Sequence, residues 1–369
     1  MNANILLVGV AAAVLQTALA RSAAAETREQ LAARLRHESG LVKSMECSFE
    51  CVVSETTPQQ VNLISELRKT SRYARSYTLN QIVFTKSNAD QRSFRMKWWR
   101  RGPSERGEEY AVSDDLTTAS PRSIYAFDGQ LLRFVNFPKR PGQVSAAINT
   151  AASWQADRTS PFTWLYLFSE TPYADIVTKA TRFEAEEVQA SGKTFARYTI
   201  ESPKLDKRTL VLLFDESGRL AERQWISSPM PGEEPDLGWR VTFSDYRAYA
   251  DPSGETIWFP RQVVYDTYLG RLPDRRLVQN TGERYRVLDV KFNVDIPDSI
   301  FDLEIPSNAT VWDGVNTMSY LEPGNPLPVY VLPPEAGRWR LAIVAGAVFL
   351  TVAAVAWVTW RRRKAASAP

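Results

Sequence analysis

Histidine and cysteine are nearly absent from this chain of 369 residues, which contains one histidine and two cysteines. His37 lies among Arg34, Arg36 and Glu38, a setting typical of a solvated helix face, and no second histidine could complete a triad or a metal site. The sequence also lacks a GxSxG elbow, a GxxxxGKS/T phosphate loop and a CxxC pair. We therefore expect no catalytic residues, no metal and no cofactor, and a protein that is not an enzyme.

An excess of either charge is also missing. Lysine and arginine number 45 and aspartate and glutamate 42, which gives a net charge of +3, and the two signs are interspersed. Without a basic face, the sequence gives no reason to expect a nucleic-acid partner. The hydrophobic content of 44% and the aromatic content of 11% are those of a globular chain.

The two cysteines lie close together in a predicted strand. Alternation puts Cys47, Phe49, Cys51 and Val53 on one strand face. Four residues of extended strand separate the two cysteine Cα atoms by ~13 Å, beyond the ~7 Å limit of a disulfide. The pattern favours two small buried side chains, although a helix or bend at this point would allow a bridge.

One long uncharged run dominates the chain near its C-terminus. It begins with Leu341 and ends with Trp360, and twenty helical residues span ~30 Å, the hydrocarbon thickness of a bilayer. We expect a transmembrane helix over residues 340–361 with the bilayer as its partner. Four cations follow at 361–364, which predicts that the tail at 362–369 is cytoplasmic and that the bulk of the protein lies on the opposite side.

The N-terminus predicts export independently. Residues 5–20 form a shorter apolar run, and Ala18, Ala20, Ala23 and Ala25 have the small-residue spacing of a signal-peptidase site. Residues 1–25 are therefore predicted to be a signal peptide. Because the first four residues, MNAN, contain no lysine or arginine, an uncleaved N-terminal anchor is the alternative.

The exported part is predicted to be mainly β with few helices. A capping box at Thr27 and Gln30 begins a first helix with an apolar side of Leu31, Leu35, Val42 and Met45, and Ser-Pro and Thr-Pro pairs predict short helices at 162–168 and 173–180. Period-2 segments and turn signals then predict strands at 94–98, 124–127, 131–137, 194–201, 208–214, 221–226, 239–245, 255–268 and 285–296. The architecture expected is one curved antiparallel sheet of about ten strands, closed on one side by about three helices.

The last strand shows the clearest alternation of apolar and polar residues. We expect its inward face to carry the apolar members, Leu288, Val290, Phe292, Val294 and Ile296. Residues 314–339, which contain several prolines, are predicted to be a semi-rigid spacer between this domain and the membrane.

This order of elements resembles the LolA/LolB/RseB-like superfamily of bacterial outer-membrane lipoprotein-sorting and sensor domains. The last strand is followed by the residues that the family commonly has there, Pro297, Asp298, Phe301, Pro306, Val311 and Asp313. The segments at 208–215 and 257–260 are also similar to its meander strands. The resemblance covers residues 26–313.

The resemblance implies an unclosed half-barrel with helices as a lid and an apolar cavity between them for acyl chains or a hydrophobic partner segment. For such a cavity the residues on the apolar side of each strand are candidates to line it: Phe49, Phe94, Met96, Trp98 and Phe292. Together with the predicted span, which is a departure from the family, the resemblance implies a bacterial, single-pass protein of the inner (cytoplasmic) membrane with a periplasmic domain. A tethered domain can bind, present or sense, but it cannot shuttle across a compartment as soluble carriers of the family do.

Two functions are consistent with the sequence. The first is a membrane-anchored domain that binds a hydrophobic ligand (a lipid, an acyl chain or a lipoprotein) on the concave face of the sheet. The second is a protein-interaction or envelope-sensing domain without a small ligand. The tryptophans fit both, since they could line a ligand cavity or fill the core between sheet and helices: Trp98, Trp99, Trp164, Trp225, Trp239 and Trp258.

Overall fold

The computed structural model describes residues 25–78, 83–137, 144–150, 172–205, 208–227, 236–307, 309–316, 318–321 and 325–326. Residues 1–24 of the predicted signal peptide, the helix expected at 162–168 and the span at 340–361 lie outside the described residues. No helix within the described part of the chain is long and apolar enough to cross a bilayer.

Five α-helices occur among these residues. They are α1 (Arg28–Leu41), α2 (Pro58–Thr70), α3 (Arg72–Ser76), α4 (Lys86–Arg92) and α5 (Tyr173–Thr178). Short 3-10 turns cover Pro203–Leu205 and Asp298–Ile300. The expectation of about three helices was too low because α2, α3 and α4 follow the first strand, where the sequence analysis proposed no helix.

One sheet contains all sixteen described strands. In chain order they are β1 (Ser44–Val53), β2 (Phe94–Arg101), β3 (Ser104–Ala111), β4 (Ser123–Phe127), β5 (Leu131–Asn136), β6 (Ser145–Thr150), β7 (Arg182–Ala190), β8 (Lys193–Glu201), β9 (Thr209–Asp215), β10 (Leu220–Ser227), β11 (Asp236–Ala250), β12 (Thr256–Arg271), β13 (Leu277–Phe292), β14 (Thr310–Asp313), β15 (Met318–Leu321) and β16 (Asn325–Pro326). The prediction of a mainly β fold with a large, curved and unclosed sheet is confirmed, with more strands than the ten expected.

The spatial order of the sheet is β16-β15-β14-β6-β5-β4-β3-β2-β1-β13-β12-β11-β10-β9-β8-β7. Neighbours are antiparallel except for β14, which lies parallel to β6. The first strand of the chain therefore sits in the middle, between β2 and the last long strand, β13. This pairing joins the two meanders, so the inner surface is built from residues distant in sequence.

Helices cover one side of the sheet, here called the inner face. Leu31 and Leu35 of α1 and Val177 of α5 pack in the main hydrophobic core with strand residues such as Phe49 and Tyr285. The predicted capping box of α1 is present, since the Thr27 hydroxyl and the Gln30 side chain each accept a hydrogen bond from the other's backbone N–H. Burial of this apolar helix face against the sheet is what stabilises α1, as for most helices in globular proteins.

Two expectations for α1 were wrong. The helix ends at Leu41, so Val42 is its C-cap and Met45 belongs to β1. The buried helix residues are Leu31, Ala32 and Leu35. An apolar pattern that crosses from helix to strand was interpreted as one continuous helix.

The prediction for β1 is confirmed. Cys47, Phe49, Cys51 and Val53 are buried on one face, and both cysteines are free thiols. Burial raises the pKa of both thiols, which makes the nucleophilic thiolate scarce at neutral pH.

The predicted inner face of β13 needs one correction. Val290 and Phe292 are buried as expected, but Leu288 is only partly buried. The register with β1 shifts there, from Ser48 opposite Asp289 to Phe49 opposite Val287, so that Leu288 is the extra residue of a β-bulge.

The strand also ends earlier than predicted. Asn293 has a φ of 53° and ends β13, which leaves Val294 and Ile296 beyond the strand. Asn293 can adopt this left-handed conformation because its side chain bonds locally: its Nδ2 donates to the Leu41 carbonyl and to Asp251, and its Oδ1 accepts from Lys43.

Candidate functional site

A cavity of about 590 Å³ lies between the inner face of β10 to β13 and the chain around α3 and α4. Its volume is in the ~300 to 1,000 Å³ range of small-molecule sites. We call it the aromatic cavity because of its lining, which includes Tyr73, Tyr77, Phe84, Trp225, Trp239, Tyr265 and Tyr268.

The floor of the aromatic cavity is a pair of stacked tryptophans. Trp225 on β10 lies directly opposite Trp239 on β11, and their rings are 5.3 Å apart between centroids with planes 10° apart. Tyr265 on β12 tilts against Trp239 at 6.0 Å. The three rings share the inner face because Trp225 pairs with Trp239, and Tyr265 pairs with Val241, which is two residues from Trp239 on the same face of β11.

A buried arginine supports this floor. The guanidinium carbon of Arg223 is 4.7 Å from the Trp239 ring centroid and 4.8 Å from that of Tyr173 on α5. Burial lowers the pKa of Arg223, while the electron-rich faces of the rings favour its charged form. The floor is thereby connected to α5 on one side.

The roof of the aromatic cavity comes from α3 and the residues that follow it. Ser71 caps α3 by accepting a hydrogen bond from the backbone of Ala74, and the hydroxyls of Tyr73 and Tyr77 are 2.7 Å apart. A small hydrophobic cluster holds α2 and α3 on the sheet and contains residues of α2, α3, β12, the turn after β12, and β13: Ile64, Leu67, Ala74, Leu269, Leu272 and Val278.

The β13 side of the cavity is polar. The hydroxyls of Thr267 and Thr281 are 2.8 Å apart, and Tyr285 donates its hydroxyl to Glu283. Burial raises the pKa of Glu283, and the Arg92 charge acts in the opposite direction. The aromatic cavity therefore has an aromatic end at β10 and β11 and a polar end at β13.

A second cavity, of about 760 Å³, lies between α1 and the strands β8 and β9. Its lining combines charged side chains such as Glu26 and Arg34 with His37 and with apolar surface from Ala196 and Phe214. Arg34 pairs with Glu26 at 2.8 Å and lies over the Phe214 ring at 4.1 Å. A third cavity, near Asn293, has about 360 Å³.

The five residues predicted to line a cavity all lie on the inner face. Phe49, Trp98 and Phe292 are fully buried in the main core, and Phe94 and Met96 are partly buried against it. Phe49 lies opposite Met96 and 6.2 Å from the Phe94 ring, while Phe292 contacts other rings. None of them lines the three cavities described above, so their contact with a ligand stays a prediction.

The sequence analysis considered the tryptophans of the floor as core or cavity residues. It did not predict the roof, and it did not predict the charged residues of the cavity. Thr57, Pro58 and Gln60 form a capping box with proline at the first helical position, the signal that could have located α2. Arg92 and Glu283 carry no local signal, because only the fold brings them to one cavity.

The described residues contain no group of three or more histidine, cysteine, aspartate or glutamate side chains that could hold a metal ion. Of the two carboxylates around the aromatic cavity, Glu283 accepts from the Tyr285 hydroxyl and Asp236 pairs with Arg271. The arrangement suits binding of an apolar body with a polar group, since aromatic faces provide contact area and hydroxyls provide orientation.

Comparison with known proteins gives structural matches only. No family model matches the sequence, and a search of curated proteins found no match. Among solved structures, a candidate outer membrane lipoprotein-sorting protein domain from Vibrio parahaemolyticus matches at 11% identity, over 74% of this chain and 95% of that chain, with a TM-score of 0.37. A DUF1329 family protein from Desulfovibrio piger matches at 10% identity, over 74% and 95%, with a TM-score of 0.36.

The complex of MucA and MucB from Pseudomonas aeruginosa also matches, at 9% identity, over 72% of this chain and 99% of that chain, with a TM-score of 0.19. These structural neighbours include a lipoprotein-sorting domain and a MucA/MucB complex. Because every TM-score is below 0.5, the matches carry no inference about what this chain binds.

Proposed function

We propose that this protein is a membrane-anchored domain that binds a hydrophobic ligand in the aromatic cavity. The observation that carries the proposal is the cavity itself: about 590 Å³ under the helices of the inner face, lined by seven aromatic residues. Aromatic rings bury large areas on contact with an apolar group, at ~25 cal/mol per Å² before the ordering costs are subtracted. A lipid, a free acyl chain or the acyl part of a lipoprotein has the required chemistry.

The proposal includes a location. The uncharged run at 341–360 would hold the protein in the inner membrane, with the β domain on the extracytoplasmic side. A domain held at the bilayer can take up or present a membrane-derived ligand without leaving the membrane.

Ligand-dependent melting of the full chain tests the binding. The chain would be placed in neutral phosphatidylcholine nanodiscs and heated with increasing amounts of a neutral 16-carbon monoacylglycerol. A ligand that binds only the folded state raises the melting temperature as its concentration rises. Absence of any shift, with this ligand and with a fatty acid, would refute the proposal.

A matched pair of variants links such a shift to the cavity. Thr267 lines the cavity, so Thr267→Trp should fill it and abolish the shift. Lys291 is exposed on the other face of the sheet, so Lys291→Trp should leave the shift unchanged. An equal shift in both variants would mean that the ligand binds elsewhere.

Protein interaction is the second candidate function, and strand β7 favours it. This strand ends the sheet and pairs only with β8 in the described part of the chain, and none of its nine residues is fully buried. A sheet edge of this kind can add a strand from a partner. The acidic side chains Glu184, Glu186 and Glu187 on β7 favour a basic partner strand. Binding of a protein partner without any lipid-dependent melting shift would support this function instead.

A further inference from the structure

The aromatic cavity is electrically asymmetric. Its β13 end has one carboxyl group, Glu283, within the electrostatic reach of Arg92. Its β10 end has Arg208, whose guanidinium carbon is 5.5 Å from the Trp225 ring centroid. The buried Arg223 lies 5.7 Å from the same ring. Two guanidinium groups therefore flank the stacked tryptophans at one end of the cavity.

The carboxylate at that end is engaged by another group. Asp236 lines the cavity too, but its Oδ1 accepts from the backbone of Leu237 at 2.7 Å and pairs with Arg271 at 2.7 Å. Arg208 is exposed, and it has no carboxylate within 4 Å among the described residues. Its guanidinium therefore lies at the mouth of the cavity, near a carboxylate, Asp236, that is already paired with Arg271.

Stacking on a ring orients a guanidinium without using its N–H groups. Arginine presents five donors in a planar fork that matches carboxylate and phosphate oxygens. The Arg208 guanidinium over Trp225 thus places these donors beside the apolar surface of the cavity. This arrangement suits a molecule with an apolar body and a negative group at one end.

We propose that the ligand of the aromatic cavity is an anionic amphiphile, whose carboxylate or phosphate group is held by Arg208 while its apolar part lies on the Trp225 and Trp239 rings. This inference rests on the proposed function, because it names the chemical class of the ligand at the same site. Arg92, at the opposite end beside Glu283, contributes little to holding the negative group.

The test compares three 16-carbon ligands on the full chain in neutral phosphatidylcholine nanodiscs: a fatty acid, a monoacyl phosphate and the neutral monoacylglycerol. Apparent dissociation constants come from the ligand dependence of the melting temperature. We expect both anionic ligands to bind more tightly than the neutral one, with a preference that weakens as salt is added. Equal affinity for all three would overturn the inference and leave the hydrophobic-ligand proposal standing. Binding of none would refute both.

Variants identify the group responsible for the preference. Arg208→Gln should weaken both anionic ligands about 1.4- to 5-fold and leave the neutral one unchanged, because exposed ion pairs contribute ~0.2 to 1 kcal/mol. Arg208→Glu should weaken them further, since it replaces attraction by repulsion. Arg284→Gln, on the other face of β13, serves as the control and should change neither class. An anion preference that survives in Arg208→Glu would overturn the inference.

Free anion binding is distinguished by competition. If millimolar inorganic phosphate displaced the monoacyl phosphate and itself raised the melting temperature, the site would recognise a free anion and the amphiphile assignment would be wrong. Retention of the monoacyl phosphate, with no shift by phosphate alone, is the expected result. Because neutral-ligand binding is retained in a folded Arg208 variant, loss of the fold cannot mimic the predicted pattern.

Discussion

Trp225 and Trp239 stack face to face across adjacent strands, with centroids 5.3 Å apart and planes 10° apart. Stacking of this kind is worth ~0.5 to 1.5 kcal/mol beyond the area that the rings bury. Both rings are only partly buried, so each still has surface toward the aromatic cavity. The pair therefore stabilises the sheet and provides contact area for a ligand.

Removing one ring should affect both stability and binding. We expect Trp239→Ala to lower the free energy of unfolding by about 2 to 4 kcal/mol, because it loses the stack with Trp225 and the contacts with Tyr265 and Arg223. Trp258 is the matched control. Its side chain is 46% exposed, and the Arg219 guanidinium lies over its ring at 3.7 Å. Trp258→Ala should cost about 1 kcal/mol or less. Chemical denaturation followed by circular dichroism measures both, and equal losses would contradict the assignment of Trp239 to the cavity floor.

The inner face of β13 has its own test. Phe292 is buried among the rings of Tyr249 and Phe259, at 5.8 and 5.3 Å, so Phe292→Ala should cost about 3 to 5 kcal/mol. Lys291 is exposed, and Lys291→Ala should stay within about 0.5 kcal/mol of the wild type. Similar losses at the two positions would mean that β13 is buried on both faces.

Glu283 predicts a pH dependence of stability. Its pKa in the folded protein is raised by burial, so the folded state prefers the protonated acid. The stability that this preference provides is complete below the unfolded value of about 4.3 and is lost as the pH rises through the folded pKa. Glu283→Gln, which is neutral at every pH, should therefore gain stability relative to the wild type between pH 4 and pH 8. Denaturation midpoints of the two proteins across this range check the sign. A variant whose stability decreases relative to the wild type as the pH rises would contradict the prediction.

Membrane topology can be tested by cysteine labelling. The turn between β7 and β8 contains Ser191, and the C-terminal tail contains Ala366. If the domain is extracytoplasmic, an impermeant thiol reagent added to intact cells should modify Ser191→Cys and spare Ala366→Cys, because the cations at 361–364 keep the tail inside. Cys47 and Cys51 are buried and should not react in the folded protein. Modification of Ala366→Cys alone would reverse the proposed orientation.

The sequence predicted β1 and most of the meander because each strand has one dry face. Cys47, Phe49 and Cys51 alternate with polar residues, and this pattern survives in the sheet. The alternation pattern gave a wrong prediction at the Leu288 bulge and at Asn293, where the backbone departs from a regular strand. Alternation cannot reveal an extra residue in a bulge, nor a residue whose positive φ ends the strand. Strand β7 was missed because a sheet edge exposed on both faces needs few apolar residues.

The candidate site was less predictable than the fold. Phe49, Met96 and Trp98 were chosen for their strand parity, and they do lie on the inner face. Parity cannot show which part of that face is filled by helices and which is left open. The open part is decided by where α2 to α5 pack, and the roof residues Tyr73 and Phe84 reach it only through long-range contacts of the fold.

Photolabelling tests the central claim most directly. The full chain in neutral nanodiscs would be irradiated with a 16-carbon fatty acid that carries a diazirine on its chain, and the modified residues would be mapped by mass spectrometry. Binding in the aromatic cavity predicts labels on lining residues such as Tyr73, Trp225 and Trp239, removed by excess unlabelled ligand and by Thr267→Trp. Labels confined to residues 341–360, or unaffected by either treatment, would contradict a ligand site on the inner face of the sheet.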